Sequence, residues 1–217
     1  MQDDVVIFNK DNQYEKIKYV FPKLNGVIPK GIMYTKNSLT YITKVIDTFD
    51  LKKIIQKFID TSDLNIMDAT SNIGGDTLSF STYFKDVHSF EINPIYFNIL
   101  ENNISIYKKD NIFTYNESCV NVLDNDFLHD HSIDVVYIDP PWGGNNYKLF
   151  DNIRLYLSPT ISLEYFIVSL FSKNIKMVII KIPLNYDTIF LKNICEHEHI
   201  IVNFHILYKM IIGILTI

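Results

Sequence analysis

Cysteine is scarce in this 217-residue chain, with Cys119 and Cys195 the two present. Two are too few for a disulfide framework or a four-cysteine zinc site, so a reducing compartment is the default. Alanine and arginine each occur once, as Ala69 and Arg154, against 35 isoleucines and 21 asparagines. That bias points to an AT-rich genome rather than to a chemistry. The net charge is −5, which speaks against indiscriminate binding along a nucleic-acid backbone but leaves room for a local basic face. Long uninterrupted apolar runs are missing. The most apolar stretch, Ile200 to Ile217, is broken by Asn203, His205 and Lys209 and reads as two buried strands rather than a membrane span. The first ten residues carry Asp3 and Asp4 where a secretory leader would be basic, so an intracellular location, nucleus or cytoplasm, is expected. No repeat, low-complexity tract or Gly/Ser linker divides the chain. What is abundant, 47% hydrophobic and 14% aromatic residues, excludes a disordered chain.

The pattern predicts an irregular N-terminal arm over residues 1–36, with Pro22, Gly26, Pro29 and Gly31, and a single domain over 37–217. From Asn37 the apolar spacing is helical, through Leu39, Ile42, Val45, Ile46, Phe49, Leu51, Ile54, Ile55 and Ile59. Strands are predicted at 64–67, 87–90, 112–115, 134–138 and 177–182, with helices at about 94–104, 162–171 and 187–195 between or after them. Asn93 is a helix cap followed by Pro94 in the first turn. Alternating strands and helices imply parallel βαβ units. The last two apolar runs are joined too tightly for a crossover helix and predict an antiparallel hairpin. The fold class is therefore α/β, a doubly wound, mostly parallel Rossmann-like sheet closed by a C-terminal hairpin.

In such a sheet, ligands bind beyond the carboxyl ends of the strands, near the point where strand order reverses. The turn from Asp68 to Gly75 lies there, and Gly74 and Gly75 let backbone approach a ligand. Glu91 ends the next strand, where a carboxylate can accept hydrogen bonds from both ribose hydroxyls. Together they point to a nucleoside-containing cofactor. The full G-x-G-x-x-G is missing, which disfavours NAD.

Asp139-Pro140-Pro141-Trp142-Gly143-Gly144 follows the fourth predicted strand. Adjacent prolines fix φ and donate no hydrogen bonds, so they present carbonyl acceptors rigidly. Such acceptors suit an exocyclic –NH2, whose lone pair must leave its ring before it can attack. Trp142 adds a flat face on which a base can stack, worth roughly 1–3 kcal/mol. The bland alternative is a proline-rich turn over a core tryptophan.

D-A-x-x-x-x-G-G, F-E-I-N-P and D-P-P-W-G-G together resemble the S-adenosylmethionine-dependent methyltransferases, and within them the RNA cap guanine-N2 methyltransferases (trimethylguanosine synthases). The resemblance covers about residues 20–190 and implies a seven-stranded methyltransferase sheet. It implies S-adenosylmethionine held by Thr35 in a short closing segment (Met33 to Thr35), by Asp68, Gly74, Gly75, Glu91, Ile92 and Ser118, and by Asp139. It implies Asp139 and the Pro140 carbonyl as the grip on the amine, with Trp142 as the stacking face. Pro183 and Asn185 match a Pro-x-Asn near the base. The implied partner is RNA carrying a 7-methylguanosine cap. Three positions depart from the family pattern: Asn72 stands for glycine, Ser118 for an aspartate against adenine, and Asp139 for a frequent serine. N2-guanine or N6-adenine methylation of other RNA or DNA, and a non-catalytic RNA-binding module, are the alternatives.

No metal is expected. His197-Glu198-His199 lacks a third ligand at metal spacing and reads as a polar loop. Lys16, Lys18, Lys23, Lys30 and Lys36 cluster in the arm, either as a solvated face or as a landing surface for phosphates. Lys181 is a further candidate for reaching phosphate.

Overall fold

A two-stranded ribbon precedes the main sheet. In the computed structural model, which describes residues 4–8 and 14–217, β1 (Val6–Ile7) pairs antiparallel with β2 (Met33–Tyr34), and one helical turn, α1 (Tyr14–Ile17), lies between them in sequence. Residues 1–3 and 9–13 of the arm lie outside the described part, as do the side chains of Lys16 and Asn145. Two helices follow, α2 (Lys36–Tyr41) and α3 (Val45–Ile55). Then come β3 (Asn65–Asp68), α4 (Gly75–Phe80), β4 (Asp86–Phe90), α5 (Pro94–Tyr107), β5 (Ile112–Tyr115), α6 (Phe127–Asp130), β6 (Ile133–Ile138), α7 (Leu163–Phe171), β7 (Met177–Pro183) and α8 (Thr188–His197). The chain closes with β8 (Ile201–Leu207) and β9 (Met210–Thr216).

The main sheet has seven strands in the order β5-β4-β3-β6-β7-β9-β8. The first five neighbours run parallel, and β9 is antiparallel to both β7 and β8. Side chains alternate between two buried faces, as the period of two requires. Val136 and Ile138 of β6, with Val178 and Ile180 of β7, pack under Phe166, Ile167 and Leu170 of α7 and Leu191 of α8. Val135, Tyr137 and Ile179 face the other way, toward Leu51 and Ile55 of α3 and Phe80 of α4. Burial of each such side chain stabilises the fold by about 1.5–3 kcal/mol. Among the described residues no helix is long and apolar enough to cross a membrane.

The continuous helical spacing from Asn37 is corrected in one place. The helix breaks at Ile42–Lys44, where Ile42 is extended (φ −70°, ψ 138°) and the Val45 N–H donates to the Tyr19 carbonyl (2.8 Å). The break turns Thr43 inward, where its hydroxyl donates to Asp76 (2.6 Å). Polar bonds at the carboxyl edge of the sheet thus override helical periodicity.

The arm has a core of its own. Phe8, Ile17, Phe21 and Ile32 are buried with Ile99, Leu100 and Ile104 of α5. Asn103, fully buried on α5, accepts from the Met33 N–H (2.9 Å) and donates to the carbonyls of Met33 and Ile73 (3.0 Å each). One side chain therefore ties the ribbon to the loop after β3.

Candidate active site

The order of the strands fixes where a ligand can lie. From β3 the chain moves outward to β4 and β5, then crosses back to β6 and β7 on the other side. The crevice of such a sheet opens beyond the carboxyl ends of β3 and β6. Asp68 is the last residue of β3, Asp139 follows the end of β6, and a cavity of about 700 Å³ opens between them. That volume suits a nucleoside cofactor together with a base.

The loop after β3 is held by backbone bonds across the crevice. The Ala69 N–H donates to Tyr137 (2.9 Å) and the Ser71 N–H to Phe90 (2.9 Å). Asp68 is fully buried on the cavity floor and accepts from the Thr77 hydroxyl (2.6 Å) and the Thr70 N–H (3.3 Å). Burial pushes its carboxyl up to about 7, against the pull of the Thr77 bond. Gly74 sits at φ +95° and caps α4, and a Cβ there would come within 2.9 Å of Leu100. Gly75 lies under Ile42, whose Cγ1 would stand 2.5 Å from an added Cβ. Asn72 takes the left-handed conformation (φ 49°), which asparagine tolerates.

Glu91, just past β4, accepts from the Asn93 N–H (2.7 Å). Burial raises its pKa, opposed by backbone bonds from Asn93 and Asn72. Ile92 beside it is exposed, and Ser118 begins the 3-10 turn Cys119–Leu123. Glu91, Ile92 and Ser118 all line the cavity.

At the end of β6 lies a buried ionic cluster. Lys181 falls in the register of Met177 and Ile179, on the face toward α3 and α4, and is 3% exposed. Its Nζ contacts the Asp139 carboxylate, donates to the Thr43 hydroxyl (2.6 Å) and lies 3.6 Å from Asp76. Asp76 also accepts from Tyr137 (2.9 Å). Burial alone would lower the Lys181 pKa, but the charges of Asp139 and Asp76 outweigh it and the pKa is raised. Asp139 is pushed up to about 6 by burial, with Lys181 pulling the other way. Its backbone N–H donates to Thr70 (2.8 Å), which ties the Asp-Pro-Pro turn to the loop after β3.

Trp142 lines the same cavity and meets Tyr147 edge-to-face (centroids 5.4 Å apart, 83°). The segment beyond it is stapled to the end of β7. The Asn185 amide donates to the carbonyls of Tyr147 and Phe150 (2.8 Å each), and the Ile153 N–H donates to Asn185 (2.9 Å). Arg154, the one arginine, forks onto buried Glu164 (3.1 and 3.0 Å) and stacks on Phe190 (3.9 Å), so it serves this loop.

Of the residues singled out in the sequence, Asp68, Gly75, Glu91, Ile92, Ser118, Asp139, Pro140 and Trp142 share the cavity. Four do not line it. Thr35 is buried as the cap of α2, its hydroxyl accepting from Ser38 (3.0 Å). Gly74 shapes the turn, Pro183 ends β7, and Asn185 holds the segment beyond Trp142. Lys181 is an internal ion-pair partner with no exposed face for phosphate. Lys18, Lys23, Lys30 and Lys36 are absent from the cavity, and Lys18 pairs with Glu15 (2.5 Å). Sequence reasoning missed Thr43, Asp76 and Tyr137. It offered Lys181 for phosphate, whereas the ammonium is engaged by Asp139, Asp76 and Thr43; a lone lysine inside M-V-I-I-K-I-P signals such a buried partner.

A family model described as RNA cap guanine-N2 methyltransferase matches residues 63–207. Uncharacterized protein L320 of Acanthamoeba polyphaga mimivirus is 33% identical over 192 residues, covering 78% of this chain and 74% of that protein. A SAM dependent methyltransferase from Aquifex aeolicus shares the fold at a TM-score of 0.55 and 13% identity, covering 79% of this chain and 90% of its own. Precorrin-6y C5,15-methyltransferase from Geobacter metallireducens gives 0.53 at 16% identity, with 77% and 87% covered. SMU.1697c from Streptococcus mutans, solved in complex with SAH, gives 0.50 at 11%, with 78% and 98% covered.

Proposed function

The chain belongs to the RNA cap guanine-N2 methyltransferase family, and from that premise we propose that it transfers a methyl group from S-adenosylmethionine to the exocyclic N2 of 7-methylguanosine in an RNA 5′ cap. The observation that carries the reading is the shared cavity: Asp139, Pro140 and Trp142 line it opposite Asp68 and Glu91, at the reversal of strand order.

The residues fit the cofactor. The floor carries the carboxyl groups of Asp68, Asp76, Glu91 and Asp139, whose oxygens complement a sulfonium and an ammonium. Asn72 and Asp76, both in the lining, each hold a buried side-chain oxygen without a hydrogen-bond partner. Glu91 would hold the ribose hydroxyls, the backbone about Gly75 the methionine portion, and Ile92 and Ser118 would border the adenine. When bound, S-adenosylmethionine supplies a methyl group already activated by its positive sulfur.

The chain's own task is then orientation and exclusion of water. Asp139, ionised above about pH 6, and the Pro140 carbonyl accept the two N–H bonds of the amine and favour a pyramidal nitrogen. Lys181 and the Thr70 hydroxyl hold Asp139 in place. Trp142 stacks on the base, and the positive charge of 7-methylguanine strengthens that stack. Asp139→Ala should lower turnover far more than cofactor affinity, because its contacts mature in the transition state. Labelled cofactor supplied in parallel with m7GDP, GDP and tRNA tests the substrate, and faster labelling of m7GDP than of GDP or tRNA is the expected outcome.

A further inference from the structure

The buried acidic floor of the cavity gives way to a more exposed lining in which lysines stand beside Asp47 and Glu117. Three lysines belong to the lining away from the acidic floor. Lys44 precedes α3, Lys148 lies in the 3-10 turn Gly144–Leu149 beyond Trp142, and Lys209 sits in the turn between β8 and β9. Among the described residues none of the three forms an ion pair, whereas the buried Lys181 forms two. Each stands beside an aromatic ring. Lys44 and Lys209 lie 5.8 and 5.2 Å from the Tyr208 centroid, and Lys148 lies 5.6 Å from that of Tyr147. Tyr208 is 69% exposed at the tip of the hairpin and holds a left-handed conformation (φ 55°).

Unpaired cations beside an exposed ring are what a single nucleic-acid strand requires: charge for its phosphates, and a flat face for an unpaired base. A duplex offers no free base face to such a ring. The lining as a whole has six carboxyl groups against four lysines, so Lys44, Lys148 and Lys209 act on phosphates locally, at contact distance, rather than by a long-range field. We propose that Tyr208, Lys209, Lys44 and Lys148 form a second binding site, which holds the single-stranded RNA continuing from the methylated nucleotide. The site rests on the methyltransferase reading of the cavity and deepens it: the preferred substrate is a polynucleotide, and the C-terminal hairpin reads its first phosphates and a neighbouring base.

The test compares m7GDP with a capped five-nucleotide RNA on the full chain, wild type against Lys44→Gln/Lys209→Gln and against Tyr208→Asn. Asparagine suits the left-handed backbone and takes away the aromatic face. For the wild type, kcat/KM should be at least tenfold higher on the RNA than on m7GDP, with the advantage shrinking as salt rises. The double variant should lose most of that advantage while its m7GDP rate stays within twofold. Fluorescence anisotropy of the same labelled RNA reads the site without turnover. There the slope of log affinity on log salt should fall by about 0.7 per lysine removed. Equal RNA affinity in wild type and variants, or equal kcat/KM on RNA and m7GDP in the wild type, overturns the second site. Weakened RNA binding in the variants with no methylation of either acceptor would support the site and instead refute cap methylation.

Discussion

Replacing Lys181 by glutamine removes the cation that faces Asp139 and Asp76, and the consequence can be sized. Its Nζ touches Asp139 and lies 3.6 Å from Asp76. At an effective dielectric near 20, a unit-charge pair about 4 Å apart is worth about 4 kcal/mol. That corresponds to about three pKa units, at about 1.4 kcal/mol per unit. Water entering the gap returns part of this, so the upward move is smaller than that ceiling. Asp139 then titrates above the value of about 6 that it has beside Lys181. In the proposed reaction Asp139 acts ionised, so the rate falls as pH drops through its pKa, and the acid limb of the profile moves up with it. Asp68, Asp76 and Tyr137 also face the cluster and stay in place in the variant, where the two carboxyls lose the same cation, so the limb is read as a difference from wild type. The assay is the initial methyl-transfer rate at saturating cofactor from about pH 5 to about pH 10. Loss of one partner of a buried pair costs about 3–5 kcal/mol, so folding is checked by thermal melt and Lys181→Arg serves as the charge-retaining control. Arginine should bring the limb back toward 6. An unmoved limb in folded Lys181→Gln would refute the role given to this pair.

Glu91→Ala should weaken S-adenosylmethionine binding measured by calorimetry, since each charge-assisted ribose bond is worth about 1.5–3 kcal/mol; unchanged affinity in a folded variant removes Glu91 from the site. Gly75→Ala places a Cβ 2.5 Å from Ile42 Cγ1, so the link between α2 and α3 must shift, at a cost of about 1–3 kcal/mol in denaturant melts. Asp68 keeps its proton to about pH 7 when folded but only to about 4 when unfolded. Its contribution to stability is therefore complete below about pH 4 and is lost as pH rises through 7, by on the order of 4 kcal/mol. Asp68→Asn has no such loss and should gain on wild type between about pH 4 and pH 8; a pH-independent difference between the two melts would contradict the burial of that carboxyl.

What could be read in the sequence followed local rules. Asn93-Pro94 and Ser162 cap helices, turn chemistry bounds strands, and the last apolar runs are too close for a crossover. That Asp68, Glu91 and Asp139 meet at one cavity was legible because each ends or follows an apolar run. Long-range pairing was not legible. Thr43 and Asp76 are 33 residues apart and Thr43 and Lys181 are 138 apart, and no periodicity encodes either bond. Thr35 resembled a contact to the cofactor because of its neighbours, whereas its hydroxyl closes a capping box with Ser38. Asn185, placed near the base by the resemblance, lies outside the lining and donates to the carbonyls of Tyr147 and Phe150 in the segment beyond Trp142.

The central claim is that the cavity methylates the N2 of a cationic guanine. A single comparison tests it most directly: kcat/KM on m7GDP and on GDP, with the methylated atom located by mass spectrometry and NMR, for wild type and Trp142→Ala. A cationic base stacks better than a neutral one by about 0.5–2 kcal/mol, so the wild type should methylate m7GDP at N2 and favour it over GDP severalfold or more. Trp142→Ala should lose that preference and still bind S-adenosylmethionine. Equal rates on the two nucleotides in the wild type, or a methyl group on any other atom, would contradict the account.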